Sequence, residues 1–203
     1  SCVYEAVREG LDRPVAVKVL HALVETPHAR WRFEHEVRSL SRLSHPAIVR
    51  VVDFGVDQSR AYLVMDLIGG PPVPLAEAAR GMDLRGLLTL FRTVCEAVAH
   101  AHTRGVIHRD LKSANVLVTR DAAGNPVPAL VDFGIARTFG ATPDAQETVR
   151  YTHPGLVVGT LGTLSPEQAS AEPDAVDTRT DVWGLGVLLF EALTGVLPHG
   201  RPG

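Results

Sequence analysis

The chain has little cysteine, no surplus of basic residues and no apolar run long enough to cross a bilayer. Its two cysteines, Cys2 and Cys95, lie far apart in no pairing pattern. That excludes a disulfide framework and reads as two reduced thiols in a cytoplasmic setting. Lys and Arg number 20 against 23 Asp and Glu, for a net charge of −3, and no basic cluster occurs. Nothing in this balance asks for nucleic acid. The longest apolar stretch, residues 182–196, contains Glu191 and is too short to span a membrane. No secretory leader and no internal repeat are evident. A membrane anchor elsewhere in a longer polypeptide is compatible with this reading. What is present is ample: 203 residues, 45% hydrophobic and 21% charged, suit one large domain or two small lobes.

Periodicity divides the chain. Residues 3–7 and 14–20 are β-prone runs around a turn containing Gly10, a hairpin pattern. Residues 30–43 place Phe33, Val37, Leu40 and Leu43 at helical spacing. Residues 48–54 and 61–66 alternate as two further strands. The run Gly69-Gly70-Pro71-Pro72-Val73-Pro74 then interrupts regular structure and is the expected joint between a unit of residues 1–68 and one of 69–203. Beyond it Asp83 is placed to cap a long helix whose stripe runs from Leu84 through Val98 to His102 and is ended by Gly105. Two short strands flank Gly124-Asn125-Pro126, residues 135–165 read as a long loop, and residues 181–193 form a helix apolar nearly all round, which predicts burial in a core. The expected class is α+β.

The chemistry concentrates in His108-Arg109-Asp110-Leu111-Lys112-Ser113-Ala114-Asn115, followed by Asp132-Phe133-Gly134 and preceded by Val15-Ala16-Val17-Lys18. An acid at Asp110 can take a proton from a hydroxyl. Asn115 and Asp132 offer the hard oxygen donors that Mg²⁺ prefers. Lys18, at the end of an apolar strand, is costly to bury unless it meets an anion. In this order and spacing the residues outline a phosphoryl-transfer site. They resemble the eukaryotic-type Ser/Thr protein kinases, the kind also common in bacteria, over essentially the whole chain.

That resemblance implies a bilobal fold, with a small antiparallel-sheet N-lobe over residues 1–68 and a mostly helical C-lobe over 69–203. It implies ATP with Mg²⁺ or Mn²⁺, and Ser/Thr-bearing proteins as substrates. Asp110 would be the catalytic base, with Lys112 neutralising the γ-phosphate. Asn115 and Asp132 would hold metal. Lys18 would hold the α- and β-phosphates and pair with a helix Glu, for which Glu36 fits better than Glu34 because Leu40 shares its face. Val3, Ala16 and Leu117 would sandwich adenine, Met65 would stand behind it, and the backbone from Asp66 to Ile68 would bind its edge. Phe133 would pack on His108 and under the helix of Glu36. Thr160 would bond Asp110 and Lys112. Arg109 would receive a phosphate on Thr148 or Thr152, placed there by a sister molecule. Asp181 would hold the backbone around His108 and Arg109. His100 and His102 lack metal-like spacing and read as solvated or core histidines.

The family pattern is incomplete here. Ser1 stands where the last glycine of the phosphate loop would be, Ser113 replaces a frequent Pro, and Ser165 replaces the Ala of A-P-E. Both ends read as cut: later family helices would cover residues 181–193 and supply an Arg for Glu167. These residues alone are therefore expected to expose apolar surface, to be poorly stable and to be weakly active. Two other function classes share the fold, a pseudokinase scaffold and a small-molecule phosphotransferase. The intact Lys18, Asp110, Asn115 and Asp132 argue against the first; Arg109 and Ser165-Pro166-Glu167 argue against the second.

Overall fold

A computed structural model describes residues 1–8, 11–134, 161–169 and 176–198. The class is α+β. Strands β1 (Cys2–Arg8), β2 (Leu11–Leu23), β3 (Val51–Asp57) and β4 (Arg60–Asp66) form an antiparallel sheet in the order β1-β2-β4-β3. Its register sets Val3 opposite Lys18, and Lys18 opposite Leu63. Alternation on β4 buries Ala61, Leu63 and Met65 on one face. Against that sheet lies helix α1 (Pro27–Ser41). It starts earlier than apolar spacing suggests because Thr26 caps it, accepting from the Ala29 amide at 3.1 Å, with Pro27 in the first turn. The helix buries Phe33, Val37 and Leu40, and Phe33 meets Phe54 edge-on at 6.1 Å.

The expected joint is only partly irregular. Residues 67–72 carry no helix or strand, but Val73–Pro74 form a short strand, β5, antiparallel to β6 (Val116–Arg120). Pro74 tolerates this because β5 is an edge, where a missing amide breaks no ladder. Strand β7 (Pro126–Leu130) completes a three-stranded sheet. Helix α2 (Leu75–Ala79) follows β5, and α3 (Leu84–His102) buries Leu87, Phe91, Val94 and Val98 along its stripe. Asp83 caps α3 as its position suggests, accepting from Gly86 N at 2.8 Å. The segment between α1 and β3 is tied to β7 from both sides: Leu130 N donates to Ala47 O at 2.8 Å, and Val49 N donates to Leu130 O at 3.0 Å. One hydrophobic core runs from β2, α1 and β4 into α3, β6 and β7.

Helix α4 (Pro166–Ala169) and helix α5 (Thr178–Thr194) complete the described elements. Asp177 caps α5, accepting from Arg179 N at 2.8 Å. The expectation that α5 is enclosed is met on one side only. Asp181, Gly184 and Leu188 are buried, whereas Val182 and Leu193 remain 62% and 51% exposed. The open side forms a groove of about 760 Å³ with Pro166, Trp183 and Phe190 in its walls. Among the described residues no helix is long and apolar enough to cross a membrane.

Candidate active site

The site grows from one buried carboxylate. Asp181, in the first turn of α5 and 1% exposed, accepts the backbone amides of His108 and Arg109, both at 2.8 Å. The His102 ring at the end of α3 lies 2.7 Å from the same carboxylate. Three partners offset the desolvation of this group, which one alone would not. The grip fixes a bend: Arg109 has φ +63, the left-handed region that side chains seldom occupy.

His108 beside it is buried, its ring centroid 4.5 Å from that of Phe133. Nε2 donates to Val131 O at 3.0 Å, while Nδ1 accepts from Asp110 N at 3.3 Å. Burial pushes its pKa below the ordinary imidazole value, with the Asp181 charge opposing. The neutral ring thus spaces two segments that are also joined by Gly134 N donating to His108 O at 2.8 Å and Val131 N donating to Asn115 O at 3.0 Å.

On this frame Asp110 is held from two sides. Its Oδ2 accepts from Lys112 Nζ at 2.8 Å and from Asn115 Nδ2 at 3.0 Å. Asn115, buried, also donates through Nδ2 to the Asp110 carbonyl at 2.7 Å. Both bonds use the amide nitrogen and leave the carboxamide oxygen available for a cation. Asp132, with φ +60, reaches Lys18 Nζ at 2.5 Å. Lys18 is 8% exposed, so a carboxylate beside it meets the cost of its burial.

Lys18, Met65, Asp110, Lys112 and Asp132 line one cavity of about 220 Å³. Ser1 lines it too. Of the side chains assigned to adenine, Met65 lines this cavity and the others lie outside its lining. Val3 is 60% exposed and Ala16 is part of the core. Ile68 and Leu117 are half-buried, and the Asp66 carboxylate is engaged by Arg13 at 3.1 Å and Arg50 at 3.4 Å. None of these five side chains lines the cavity.

Lys18 and Glu36 each have an ion-pair partner other than one another in this structure. Lys18 meets Asp132, and Glu36 Oε1 lies 3.8 Å from Arg109 Nη1. Each cation takes a nearby carboxylate. Glu34 turns outward to Arg30 and Arg38, at 3.0 and 3.2 Å. Glu167 also has a partner, contrary to expectation. Thr180 Oγ1 donates to it at 2.6 Å, and this bond holds its pKa below the usual carboxylate value. Thr160, Thr148 and Thr152 lie outside the described residues.

Two contributors escaped the sequence reading. His102 joins the Asp181 cluster, a placement that helical spacing along α3 permits but does not announce. Gln168 on α4 donates from Nε2 to the Arg109 carbonyl at 2.7 Å, across 59 residues of sequence. Its only signal in the sequence is its position beside Pro166-Glu167.

Residues 1–202 match the protein kinase domain family. The serine/threonine-protein kinase pkn2 of Myxococcus xanthus is 41% identical over 98% of this chain, and PknB of Mycobacterium tuberculosis is 39% identical over 93%. The chain spans only 23% and 29% of those two proteins. The crystal structure of the Mycobacterium tuberculosis PknI kinase domain superposes with a TM-score of 0.70 at 26% identity, covering 99% of this chain and 72% of that one. With its buried Asp181 anchor, its Asp110–Asn115 pair and its Lys18–Asp132 contact, the chain belongs to the protein kinase domain family.

Proposed function

We propose that this chain is the catalytic part of a protein serine/threonine kinase, which transfers the γ-phosphate of ATP to Ser or Thr hydroxyls of proteins. The observation that carries the reading is the convergence of Lys18, Asp110, Lys112 and Asp132 on one cavity, with Asn115 bonded to Asp110. In this reading residues 1–68 are the N-lobe, residues 69–203 the C-lobe, and the cell compartment is the cytoplasm.

The donor set fits a divalent cation. One carboxylate and one carboxamide oxygen are hard ligands few in number, as Mg²⁺ or Mn²⁺ prefers. Asn115 and Asp132 would hold it, and it would neutralise charge on the phosphate oxygens when bound. Asp110 orients the acceptor hydroxyl and takes its proton as the new O–P bond forms and the bond from the γ-phosphorus to the ADP oxygen breaks. Lys112 now neutralises Asp110; with substrate present its ammonium faces the γ-phosphate as well. Lys18 gives up Asp132 for the α- and β-phosphates, and Glu36 leaves Arg109 to orient the freed Lys18. The nucleotide places adenine between Val3, Ala16 and Leu117, near the backbone of Asp66 to Ile68. Thr160 supports Asp110 from the acceptor side. Phosphate on Thr148 or Thr152, added by a second molecule, then takes Arg109.

The test is phosphate transfer from ATP to a generic basic protein. Wild type should transfer to Ser or Thr, and Asp110→Asn should lose about 10²- to 10⁴-fold of the rate. ATP binding without transfer by the wild-type protein would leave a scaffold; transfer confined to small molecules would indicate another phosphotransferase.

A further inference from the structure

We infer that Gln168 is a positioning residue for phosphoryl transfer, clamping the backbone just before the catalytic acid to the segment ending in Ser165. The inference rests on the kinase reading of Asp110 and adds to it a contact made by a residue outside the motifs. Gln168 makes two different bonds with one carboxamide. Nε2 donates to the carbonyl of Arg109 at 2.7 Å, and Oε1 accepts from the amide of Ser165 at 3.2 Å. One planar group therefore joins two chain segments far apart in sequence, and both partners are backbone atoms that cannot rotate away.

The bonded carbonyl is the one that matters for Asp110. Arg109 stands at φ +63, so its peptide planes are held in a sparsely populated orientation. Asp181 secures the amide on one side of that residue at 2.8 Å, and Gln168 secures the carbonyl on the other. The Arg109 carbonyl belongs to the peptide that leads into Asp110, so its direction fixes where the Asp110 side chain begins. Without Gln168 that peptide plane keeps one anchor and can tilt. Carboxylate misplacement of about 1 Å costs up to about 10²-fold in a positioned reaction.

Only a carboxamide satisfies this geometry. The two partners present an acceptor and a donor, and Gln alone at this length offers one of each without charge. A glutamate would keep the bond from Ser165 but set an anionic oxygen against the Arg109 carbonyl. Once protonated, the same side chain regains a donor.

The experiment uses the full-length protein and compares Gln168→Glu and Gln168→Ala with wild type. Steady-state transfer to a basic protein is measured from pH 8 to pH 5.5, with amide hydrogen exchange as a second readout. The expected result is a fall in kcat of about tenfold or more in both variants, with KM for ATP within about twofold of wild type. The ratio of Gln168→Glu to wild-type activity should climb as pH falls and the new carboxyl protonates, while the ratio for Gln168→Ala stays flat. The Ser165 amide should exchange faster in Gln168→Ala, and amides of α3 should not change. Wild-type kcat in both variants, or parallel pH profiles, would overturn the clamp even with the kinase reading intact. Absence of transfer in wild type would overturn the kinase reading itself, and the positioning role with it. If Gln168→Ala melts early, the pH response of Gln168→Glu still decides.

Discussion

In the proposed reaction the single side chains around Asp110 divide into those that would touch reacting groups and those that hold them. Gly184 belongs to the second kind by having no side chain. A Cβ there would come within 2.8 Å of the Leu111 Cβ, in the loop between Asp110 and Lys112. Gly184→Ala should destabilise by about 1–3 kcal/mol through overpacking, lowering the melting temperature, and should cut transfer by displacing the loop. Thermal melts and kinetics on the same preparation check this. His108 gives a pH prediction whose sign is fixed by its burial. Its folded pKa lies below the ordinary value of 6.5, so the unfolded chain takes up a proton first on acidification. Stability is full above about pH 6.5 and declines as pH falls below it. His100, also shifted downward by desolvation and then by Arg104 and His45, adds in the same direction. Urea titrations at pH 7.5 and pH 5.5 should show the lower midpoint at pH 5.5, with a smaller difference in His108→Gln.

Among the elements, α1 is the one whose position the proposed chemistry needs changed. Its Glu36 lies beside Arg109 while Lys18 holds Asp132. With a nonhydrolysable ATP analogue and Mg²⁺, Lys18 and Glu36 should come within ion-pair distance and Arg109 should be released. A structure of that complex retaining the Glu36–Arg109 contact would refute the exchange. The same element shows what sequence could convey. The face of α1 was legible because Phe33, Val37 and Leu40 repeat at helical spacing, and its start was not, because Thr26 and Pro27 act through a local cap rather than a pattern. Strands β1 and β2 were legible as β-prone runs around a turn, and β3 and β4 from alternation. Val73 and Pro74 were not, since their pairing with Val118 and Leu117 is decided by distant residues. In the site, motif order named Lys18, Asp110, Asn115 and Asp132. It could not say which carboxylate Lys18 would choose, because that is decided by where segments distant in sequence bring their carboxylates. Gln168 was invisible because its partners are backbone atoms, which carry no residue identity.

For the molecule as a body, the open side of α5 outweighs other surface features. Val182, Phe190, Leu193 and Val196 are 62%, 41%, 51% and 60% exposed. Scattered apolar residues on a surface are ordinary, but a contiguous groove is not. The isolated chain should bind an apolar dye such as anilinonaphthalene sulfonate in its folded state. Val182→Gln together with Phe190→Gln should reduce that signal several-fold without lowering the melting temperature, since neither side chain is enclosed. Unchanged dye binding in the double variant would place the apolar surface elsewhere.

The chain's two tryptophans, Trp31 and Trp183, sit on different helices. Trp31 is 60% exposed on α1 and stacked between His28 and His35, with ring centroids 6.3 and 5.3 Å away. Trp183 lines the groove on α5. One fluorophore therefore reports motion at the helix of Glu36 while the other reports wetting of α5. Replacing either with Phe turns the protein into a label-free sensor of a single region.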